Sequence, residues 1–239
     1  MSTNADLLAR ARLGELLPEG AWLRAERQTA GRGRLGREWQ SLAGNLHCST
    51  VVRLAHGDPA ATTLSFLAGL AVFDALEHYL PADAPIMLKW PNDTLVQGAK
   101  IAGILLERQD DIAVVGIGIN TAYAPAIDER RTTSLAEEMA GTAATAPKVL
   151  HTLASRFAAR LEDWRSRPLS HTFAEWMLRS HRWGDRLRVT NSDGQVVSGH
   201  YRGITAEGAL RLSGDGNAEE IVLTGDVALD WGDRAEGKG

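Results

Sequence analysis

Residues 89–120, KWPNDTLVQGAKIAGILLERQDDIAVVGIGIN, contain the pattern that decides the fold. Apolar stretches at residues 86–90, 100–108 and 112–119 are short, rich in β-branched side chains and separated by polar turns, which predicts three consecutive strands. Pro91 after Trp90 forces a turn and places Asn92 and Asp93 at a strand end. The segment therefore predicts a sheet with polar side chains at the ends of its strands.

Helical patterns lie on both sides of this segment. They occupy residues 4–17, 59–80, 147–165 and 173–181. Apolar residues lie near one helix face in 4–17 and 147–165, whereas in 59–80 they wrap most of the way round, which indicates a helix packed on several sides. Further strands are predicted at residues 21–27 and 46–54, and polar irregular loops at 29–41 and 123–133.

The predicted secondary structure changes from helices to short strands near Gly184. From there to Trp231 the chain consists of short strand patterns divided by turns at residues 191–194, 207–208 and 214–216. Such even spacing predicts a small β barrel. We therefore expect a main domain over residues 1–183, a small domain over 184–233 and a frayed tail over 234–239.

Composition excludes several classes of protein. The 239 residues carry a formal charge of -4, which gives no reason to expect nucleic acid or an anionic membrane as partner. No apolar run approaches the roughly 20 residues of a membrane span, and residues 1–10 do not resemble a signal peptide. A single cysteine, Cys48, allows no internal disulfide, so the cytoplasm is the expected compartment. The seven histidines show no metal-ligand spacing.

The loop at residues 31–39, GRGRLGREW, combines glycines with arginines. Its glycines match the dinucleotide-binding pattern, but no helix with an apolar face follows, so we reject that interpretation. Glycine allows close approach of the backbone to a ligand, and arginine offers forked donors for phosphate or carboxylate. A mobile loop of this kind could close over an anionic ligand, but the pattern taken alone favours a flexible basic surface loop, and a nucleic-acid contact is a third alternative. The arginines are Arg32, Arg34 and Arg37.

Lys100 opens an apolar strand pattern. If that strand is regular, Lys100 shares a face with Ala102, Ile104 and Leu106, where a lysine needs an anionic partner. Gly103 within the same strand indicates close approach of a ligand or another backbone, as do the glycines of residues 116–120. An ordinary sheet with a snorkelling lysine explains each feature alone. Their occurrence together favours a ligand site on one sheet face.

These segments together resemble the biotin protein ligase family, in its monofunctional form without a DNA-binding domain. The matching stretches occur in the family's order: Ser2-Thr3-Asn4, QTAGRGRLGREW at 28–39, KWPND at 89–93, KIAGILLE at 100–107 and GIGIN at 116–120. The resemblance implies an α+β fold with a central mixed β-sheet flanked by helices, and an SH3-like form of the small C-terminal barrel. Residues 1–183 would then be the catalytic domain that binds biotin and ATP.

The resemblance also implies a two-step reaction in which biotin and ATP form biotinyl-5'-AMP and the biotinyl group then passes to a lysine of a carrier protein. It assigns catalysis to Lys100 and Arg34. The residues implied for biotin are Ser2, Thr3, Asn4, Gln28, Gly31, Arg32, Gly33, Arg34, Trp39, Lys100 and Gly103. Those implied for ATP are Arg32, Arg34, Arg37, Asn92, Asp93, Lys100 and Asn120. Mg²⁺ would accompany ATP, with no protein ligand identified.

The implied partner is a biotin carboxyl carrier protein, a subunit of an acyl-CoA carboxylase. We expect no DNA or membrane partner, and a monomer or homodimer. Two alternatives remain at this point. A lipoate-type acyl-adenylate ligase would need an apolar end to its pocket, and a non-catalytic anion-binding module would not need Lys100 on the sheet face.

Overall fold

The computed structural model describes residues 1–127, 130–139, 144–191, 193–214 and 218–229. The helices are α1 (Thr3–Arg12), α2 (Leu64–Glu77), α3 (Leu135–Glu138), α4 (Ala146–Ser166) and α5 (Leu169–Leu178). The strands are β1 (Trp22–Ala25), β2 (Leu46–Arg53), β3 (Ile86–Lys89), β4 (Asp93–Val96), β5 (Ala99–Gln109), β6 (Ile112–Ile119), β7 (Arg186–Thr190), β8 (Val196–Ile204), β9 (Leu210–Ser213), β10 (Glu219–Val222) and β11 (Asp226–Leu229).

The predicted elements are present, with differences at their ends. α1 ends at Arg12 instead of residue 17, because Gly14 adopts a left-handed conformation (φ 75°) that stops the helix. α2 begins at Leu64 after a short 3₁₀ turn. The sequence pattern did not predict β4, which has only four residues. No helix in the described part of the chain is long and apolar enough to cross a membrane.

The first sheet has six strands in the order β1-β2-β6-β5-β4-β3, and every neighbouring pair is antiparallel. The α+β class is confirmed, but the expected mixed sheet is wrong. That expectation came from the family resemblance. In the structure α2 carries the chain from β2 to the far edge of the sheet, so β2 and β3 run in the same direction without being neighbours.

Two layers of helices leave part of one sheet face open. α2 and α4 cover one face, where Leu67, Val72 and Leu153 share a buried cluster with the sheet. α1 covers only the β1, β2 and β6 side of the other face, through Leu7 and Leu8. The uncovered part of that second face forms the floor of a cavity.

A β-bulge changes which way Lys100 points. Lys100 pairs with Leu95 and Ala102 pairs with Thr94, so Ile101 is the extra residue in β5. Ala102 and Ile104 consequently face the helical core, whereas Lys100 lines the cavity with Gly103. The expectation that Lys100 shares a face with Ala102 and Ile104 is wrong, because an extra residue reverses the alternation of side chains.

The C-terminal strands form a second, five-stranded antiparallel sheet in the order β10-β9-β8-β7-β11. No ladder joins β10 to β11 within the described ranges, so closure into a barrel is not observed. Its buried face packs on α2 and α5, in a cluster that includes Phe66, Phe173, Trp176, Leu187 and Leu212. The predicted tail over 234–239, and parts of the turns at 191–194 and 214–216, lie outside the described residues.

Candidate active site

A cavity of about 390 Å³ lies on the open face of the first sheet. It is bordered by the loop at residues 31–39, by residues on either side of the undescribed pair 128–129 (Pro125, Ile127, Arg130 and Thr132) and by the start of β11. All of the residues predicted for the site line this cavity, with the exception of Gly31. The ideal Cβ of Gly31 would lie 2.5 Å from the Trp39 carbonyl oxygen, so this glycine permits close contact within the loop.

Glycines shape the cavity floor. A Cβ on Gly118 would overlap the indole ring of Trp39, and a Cβ on Gly103 would lie 3.0 Å from the same ring and 3.2 Å from Lys100 Nζ. A Cβ on Gly116 would overlap the side chain of Asn4. The missing side chains therefore allow an indole and an amide to lie directly on the sheet.

A buried hydrogen-bond network, which we call the polar end, lies where α1 meets the sheet; its members are Thr3, Asn4, Gln28 and Ser49. The Gln28 carbonyl oxygen accepts from the Thr3 backbone N–H (2.8 Å) and hydroxyl (3.3 Å). Ser49 Oγ lies 2.6 Å from both Thr3 Oγ1 and Asn4 Oδ1. Asn4 Nδ2 donates to the Leu105 carbonyl. Asn4 Nδ2 also donates to the carboxylate of Glu107 at 2.9 Å. The remaining donors and acceptors are neutral and suit a neutral polar ligand group.

Ser2, also predicted for the ligand, caps α1. Its hydroxyl oxygen accepts from the Ala5 backbone N–H at 3.2 Å and satisfies a free donor of the first helical turn. Ser2 lines the cavity but is 7% exposed. Ser2 therefore both caps α1 and forms part of the cavity wall.

Lys100 lies at the centre of the cavity. Its Nζ donates to Asp93 Oδ1 at 2.6 Å and lies 5.4 Å from the centre of the Trp39 ring. Lys89 approaches the other oxygen of Asp93 at 3.8 Å and donates to the Val227 carbonyl. Burial lowers the pKa of Lys89, although the charge of Asp93 opposes this. Asp93 is thus a buried carboxylate that orients Lys100 towards the cavity.

The side-chain amides of Asn92 and Asn120 both donate hydrogen bonds to backbone carbonyls of β5. Asn92 Nδ2 donates to the Ile104 carbonyl at 2.7 Å, which fixes the turn before β4. Asn120 Nδ2 donates to the carbonyls of Lys100 and Thr133. Asn120 Oδ1 is buried and accepts no hydrogen bond from the described residues.

Three arginines gather at the opposite end of the cavity, which we call the arginine end: Arg34, Arg37 and Arg130. Arg34 Nη2 donates to Thr224 Oγ1 at 3.1 Å. Burial lowers the pKa of Arg34, whereas the charges of Asp226 and Asp93 favour its charged form. Arg32 also lines the cavity, but its partner Glu107, 3.5 Å away, accepts from Asn4 of the polar end, so Arg32 lies beside that end.

Arg37 and Arg130 meet at Asp226 of the C-terminal sheet, where both contact the same oxygen, Oδ2. Partial burial would raise the pKa of Asp226, but the charges of Arg130 and Arg37 outweigh it and hold the pKa below its usual value. The carboxylate is therefore ionised at neutral pH.

Sequence reasoning missed three residues of this site: Ser49, Arg130 and Asp226. Ser49 lies within the buried strand β2 and belongs to no motif. Arg130 lies in a polar segment and Asp226 in a short strand, and neither is part of a motif. Trp90, within the KWPND stretch, is buried in the second core and donates to the Gly208 carbonyl at 3.0 Å.

Cys48 faces the helical core beneath the site. Burial raises the pKa of its thiol, so it remains protonated. Its neighbour His47 points to the opposite face and accepts from Trp39 Nε1 at 3.3 Å. The two side chains do not form a nucleophile and base pair, as the alternation of strand residues predicted.

The cavity can therefore bind a molecule with a neutral polar group at one end and an anion at the other. Lys100 lies between the two ends, where it can neutralise negative charge that forms there. An arrangement of this kind is suited to joining a carboxylate to a phosphate, since cations are needed where two anions meet.

Comparison with known proteins identifies the same chemistry. The chain is 37% identical to the biotin--[acetyl-CoA-carboxylase] ligase of Paracoccus denitrificans, over 92% of this chain and 94% of that protein. It is 39% identical to the ligase of the same name from Mycobacterium tuberculosis, over 95% and 85%. The biotin protein ligase of Aquifex aeolicus in complex with biotin and ATP superposes with a TM-score of 0.79 at 28% identity, over 95% of this chain and 94% of that one. The model of the biotin/lipoate A/B protein ligase family matches residues 2–121, and the chain belongs to this family.

Proposed function

We propose that this protein is a biotin protein ligase that makes biotinyl-5'-AMP from biotin and ATP and transfers the biotinyl group to a lysine of a biotin carboxyl carrier protein. The observation that carries the proposal is the position of Lys100 between a neutral polar end and an arginine end within one cavity. The names of the relatives from Paracoccus denitrificans and Mycobacterium tuberculosis support the choice of substrate and carrier.

In the first step a biotin carboxylate oxygen attacks the α-phosphorus of ATP. A P–O bond forms, the bond to the β-phosphate oxygen breaks, and pyrophosphate leaves. Lys100 and Arg34 reduce the repulsion between the two anions and stabilise the added charge in the transition state. Lys100 is 2.6 Å from Asp93 in the ligand-free protein, so Asp93 orients the ammonium group before the carboxylate arrives.

The polar end would hold the ureido ring of biotin, which offers two N–H donors and one carbonyl acceptor. Thr3, Asn4 and Gln28 supply complementary groups, and Ser2 lines the same wall. Trp39 and Gly103 would contact the apolar part of the ligand.

The nucleotide would lie on the other side of Lys100. Phosphates would be bound by Arg32, Arg34 and Arg37, and further contacts with the nucleotide would come from Asn92, Asp93 and Asn120. These three residues all line the cavity, which supports this assignment.

In the second step a lysine amine of the carrier attacks the acyl carbon of biotinyl-5'-AMP. An amide bond forms, the bond between the acyl carbon and the phosphate oxygen breaks, AMP leaves, and the amine releases a proton. Water would hydrolyse the mixed anhydride, so the cavity has to exclude it. Closure of the loop at residues 31–39 over the ligand would do this.

Magnesium enters this proposal only as the ion that accompanies ATP. The carboxylates of Asp93 and Asp226 each face two cationic side chains, so neither is available as a ligand. No group of three or more His, Cys, Asp or Glu suited to a metal ion occurs in the part of the chain that the structure describes. These residues do not fit an ion held by the protein, and neither step above depends on one.

We extend the proposal to domain organisation and location. Residues 1–183 would form the catalytic domain and 184–233 a small SH3-like barrel. Val222 of β10 and Val227 of β11 belong to one buried cluster, which supports a curled sheet whose edges approach each other. The cytoplasm remains the proposed compartment, on the ground of the single cysteine.

Mass spectrometry of a biotin-acceptor domain tests the function. The acceptor is incubated with biotin, Mg-ATP and the wild-type protein, Lys100→Ala or Lys148→Ala. We expect a mass gain of one biotin with the wild type and with Lys148→Ala, which changes an exposed lysine on α4, and a rate lower by about 10²–10³-fold with Lys100→Ala. Lipoate with a lipoyl acceptor forms a parallel arm. Modification there and none with biotin would favour a lipoate ligase, and none in either arm would refute the ligase proposal.

A further inference from the structure

We propose that Asp226 is a positioning residue, which holds the arginine end of the cavity in place before the nucleotide binds. Its kinetic consequence rests on the proposed function, whereas the contact itself is present in the ligand-free protein. Asp226 Oδ2 accepts from Arg130 Nη2 at 2.5 Å and also contacts Arg37 Nη1. One carboxylate oxygen thus joins arginines from two separate walls of the cavity.

The strand that carries Asp226 is well anchored. β11 pairs with β7, with Asp226 opposite Thr190. The next residue, Val227, is buried in the second core, and its carbonyl accepts from Lys89 Nζ at 2.9 Å. The carboxylate is therefore fixed relative to the first sheet, because a side chain of that sheet binds the strand directly.

The arginine loop, by contrast, has little support of its own. Its tip is a small hairpin in which Gly33 N–H donates to the Arg37 carbonyl at 2.7 Å. Leu35 at the tip has a φ of 57° and is 55% exposed. Arg34 and Arg37 connect this tip to the C-terminal sheet through Thr224 and Asp226. Without these contacts the tip would keep only its hairpin bonds.

The negative charge of Asp226 also reduces the repulsion between Arg37 and Arg130. Arg37 and Arg130 point at one location, where two guanidinium groups would repel each other without an anion between them. Each guanidinium has five N–H donors, so an arginine can hold Asp226 and still contact a phosphate. Asp226 therefore holds the two guanidinium groups close together and leaves some of their N–H donors free to bind a phosphate.

An opposite role is also conceivable on charge alone. As an anion in the cavity wall, Asp226 would repel phosphate, and its removal would then strengthen ATP binding. The geometry favours support over repulsion, since the carboxylate contacts the arginines from the side of the anchored strand. The sign of the change in the KM for ATP separates the two roles.

Limited trypsin digestion of the ligand-free protein tests the contact without any assay of activity. Cleavage after Arg34 and Arg37 is quantified by mass spectrometry for the wild type, Asp226→Asn and Glu219→Gln. Glu219→Gln removes another ion pair of the same sheet, with Arg211, and serves as the matched control. We expect faster cleavage at the loop in Asp226→Asn by about tenfold, and the wild-type rate in the control. Equal loop cleavage in all three proteins would overturn the proposal, as would an increase that extends equally to Arg53 within β2.

Steady-state kinetics then tests the consequence for the reaction. We expect Asp226→Asn to raise the KM for ATP about tenfold with a change of less than about twofold in the KM for biotin, and Asp226→Glu to restore most of the loss. Thr224→Val should shift the KM for ATP in the same direction by a smaller factor. An unchanged or lower KM for ATP in Asp226→Asn would overturn the positioning role. If the wild type makes no biotinylated acceptor, the proposed function fails while the digestion result still decides whether Asp226 holds the loop.

Discussion

The two ends of the cavity are built in opposite ways. At the polar end Thr3, Asn4 and Ser49 are at most 6% exposed and bind one another through neutral hydrogen bonds. At the arginine end the side chains of Arg37 and Arg130 remain 46% and 36% exposed and depend on one carboxylate.

The difference separates two tasks. Buried neutral networks are costly to leave half satisfied, so they discriminate strongly between ligands of different shape. Exposed charges attract a polyanion but tolerate variation and are screened by salt. We therefore expect the polar end to select the acid and the arginine end to attract the nucleotide. Perturbations of sterics, hydrogen bonds, pH and salt should separate the two ends.

The largest effect should come from Gly118→Ala. The new Cβ overlaps the Trp39 indole, so the ring has to move into the space of the ligand. We expect the KM for biotin to rise about a hundredfold, more than the KM for ATP, as measured by steady-state kinetics. Gly214→Ala is the control, because its Cβ would meet only the Ala218 carbonyl at 3.9 Å. A KM for biotin equal to that of the wild type would mean that Trp39 does not border the biotin site.

Ser49→Ala should have the next largest effect. Removal of this fully buried hydroxyl takes away the hydrogen bond to Asn4 Oδ1 and one of the two hydrogen bonds of Thr3 Oγ1, which keeps only its bond to Gln28. We expect the free energy of unfolding to fall by about 1–3 kcal/mol in urea titrations, and the KM for biotin to rise about tenfold. Ser170→Ala, at an exposed position of α5, should leave both values unchanged. A rise confined to the KM for ATP would contradict the assignment of the two ends.

Acidification should weaken the polar end through His47. Burial lowers the pKa of His47 from its ordinary value of 6.5, although the Leu42 carbonyl opposes this, so the ring is neutral at pH 7 and its Nδ1 can accept from Trp39. Because the folded protein disfavours the protonated ring, this stabilisation is complete above pH 6.5 and is lost as the pH falls further.

We expect the KM for biotin to rise about fivefold between pH 7.5 and pH 5.5, with a smaller rise in His47→Gln. The same pH series for ATP provides the comparison, since arginine stays charged throughout. If His47→Gln keeps the full pH dependence, another group is responsible.

Salt should act mainly on the arginine end and by the smallest factor. Raising NaCl from about 0.05 to 0.3 M shortens the screening length and weakens contacts between exposed charges. We expect the KM for ATP to increase about threefold and the KM for biotin to change by much less. Equal salt dependence for both substrates would show that the two ends are not electrostatically distinct.

Local patterns predicted most of the site because each motif carries its own chemistry. Alternating apolar residues predicted β5 and β6, and the glycine–arginine loop with Lys100 predicted anion binding. The prediction that Lys100 lies on the same sheet face as Ala102 and Ile104 was wrong. A bulge at Ile101 depends on how β5 pairs with β4, and no pattern within β5 encodes it.

The remaining differences share this dependence on distant contacts. The mixed sheet was wrong because the relative direction of neighbouring strands depends on pairings between residues that are distant in sequence. Asp226 was missed because its importance comes from Arg37 and Arg130, which lie about 100 or more residues away in sequence. Such side chains become visible as site residues only when the fold brings them together.

Exchange of radiolabelled pyrophosphate into ATP tests the central claim most directly, because it reports the joining of carboxylate to phosphate without any carrier protein. With the wild-type protein we predict exchange that requires biotin, is absent without an added acid, and is weak with lipoate. Absence of exchange with biotin, or equal exchange with lipoate, would contradict a cavity whose polar end selects biotin and whose cations join it to ATP.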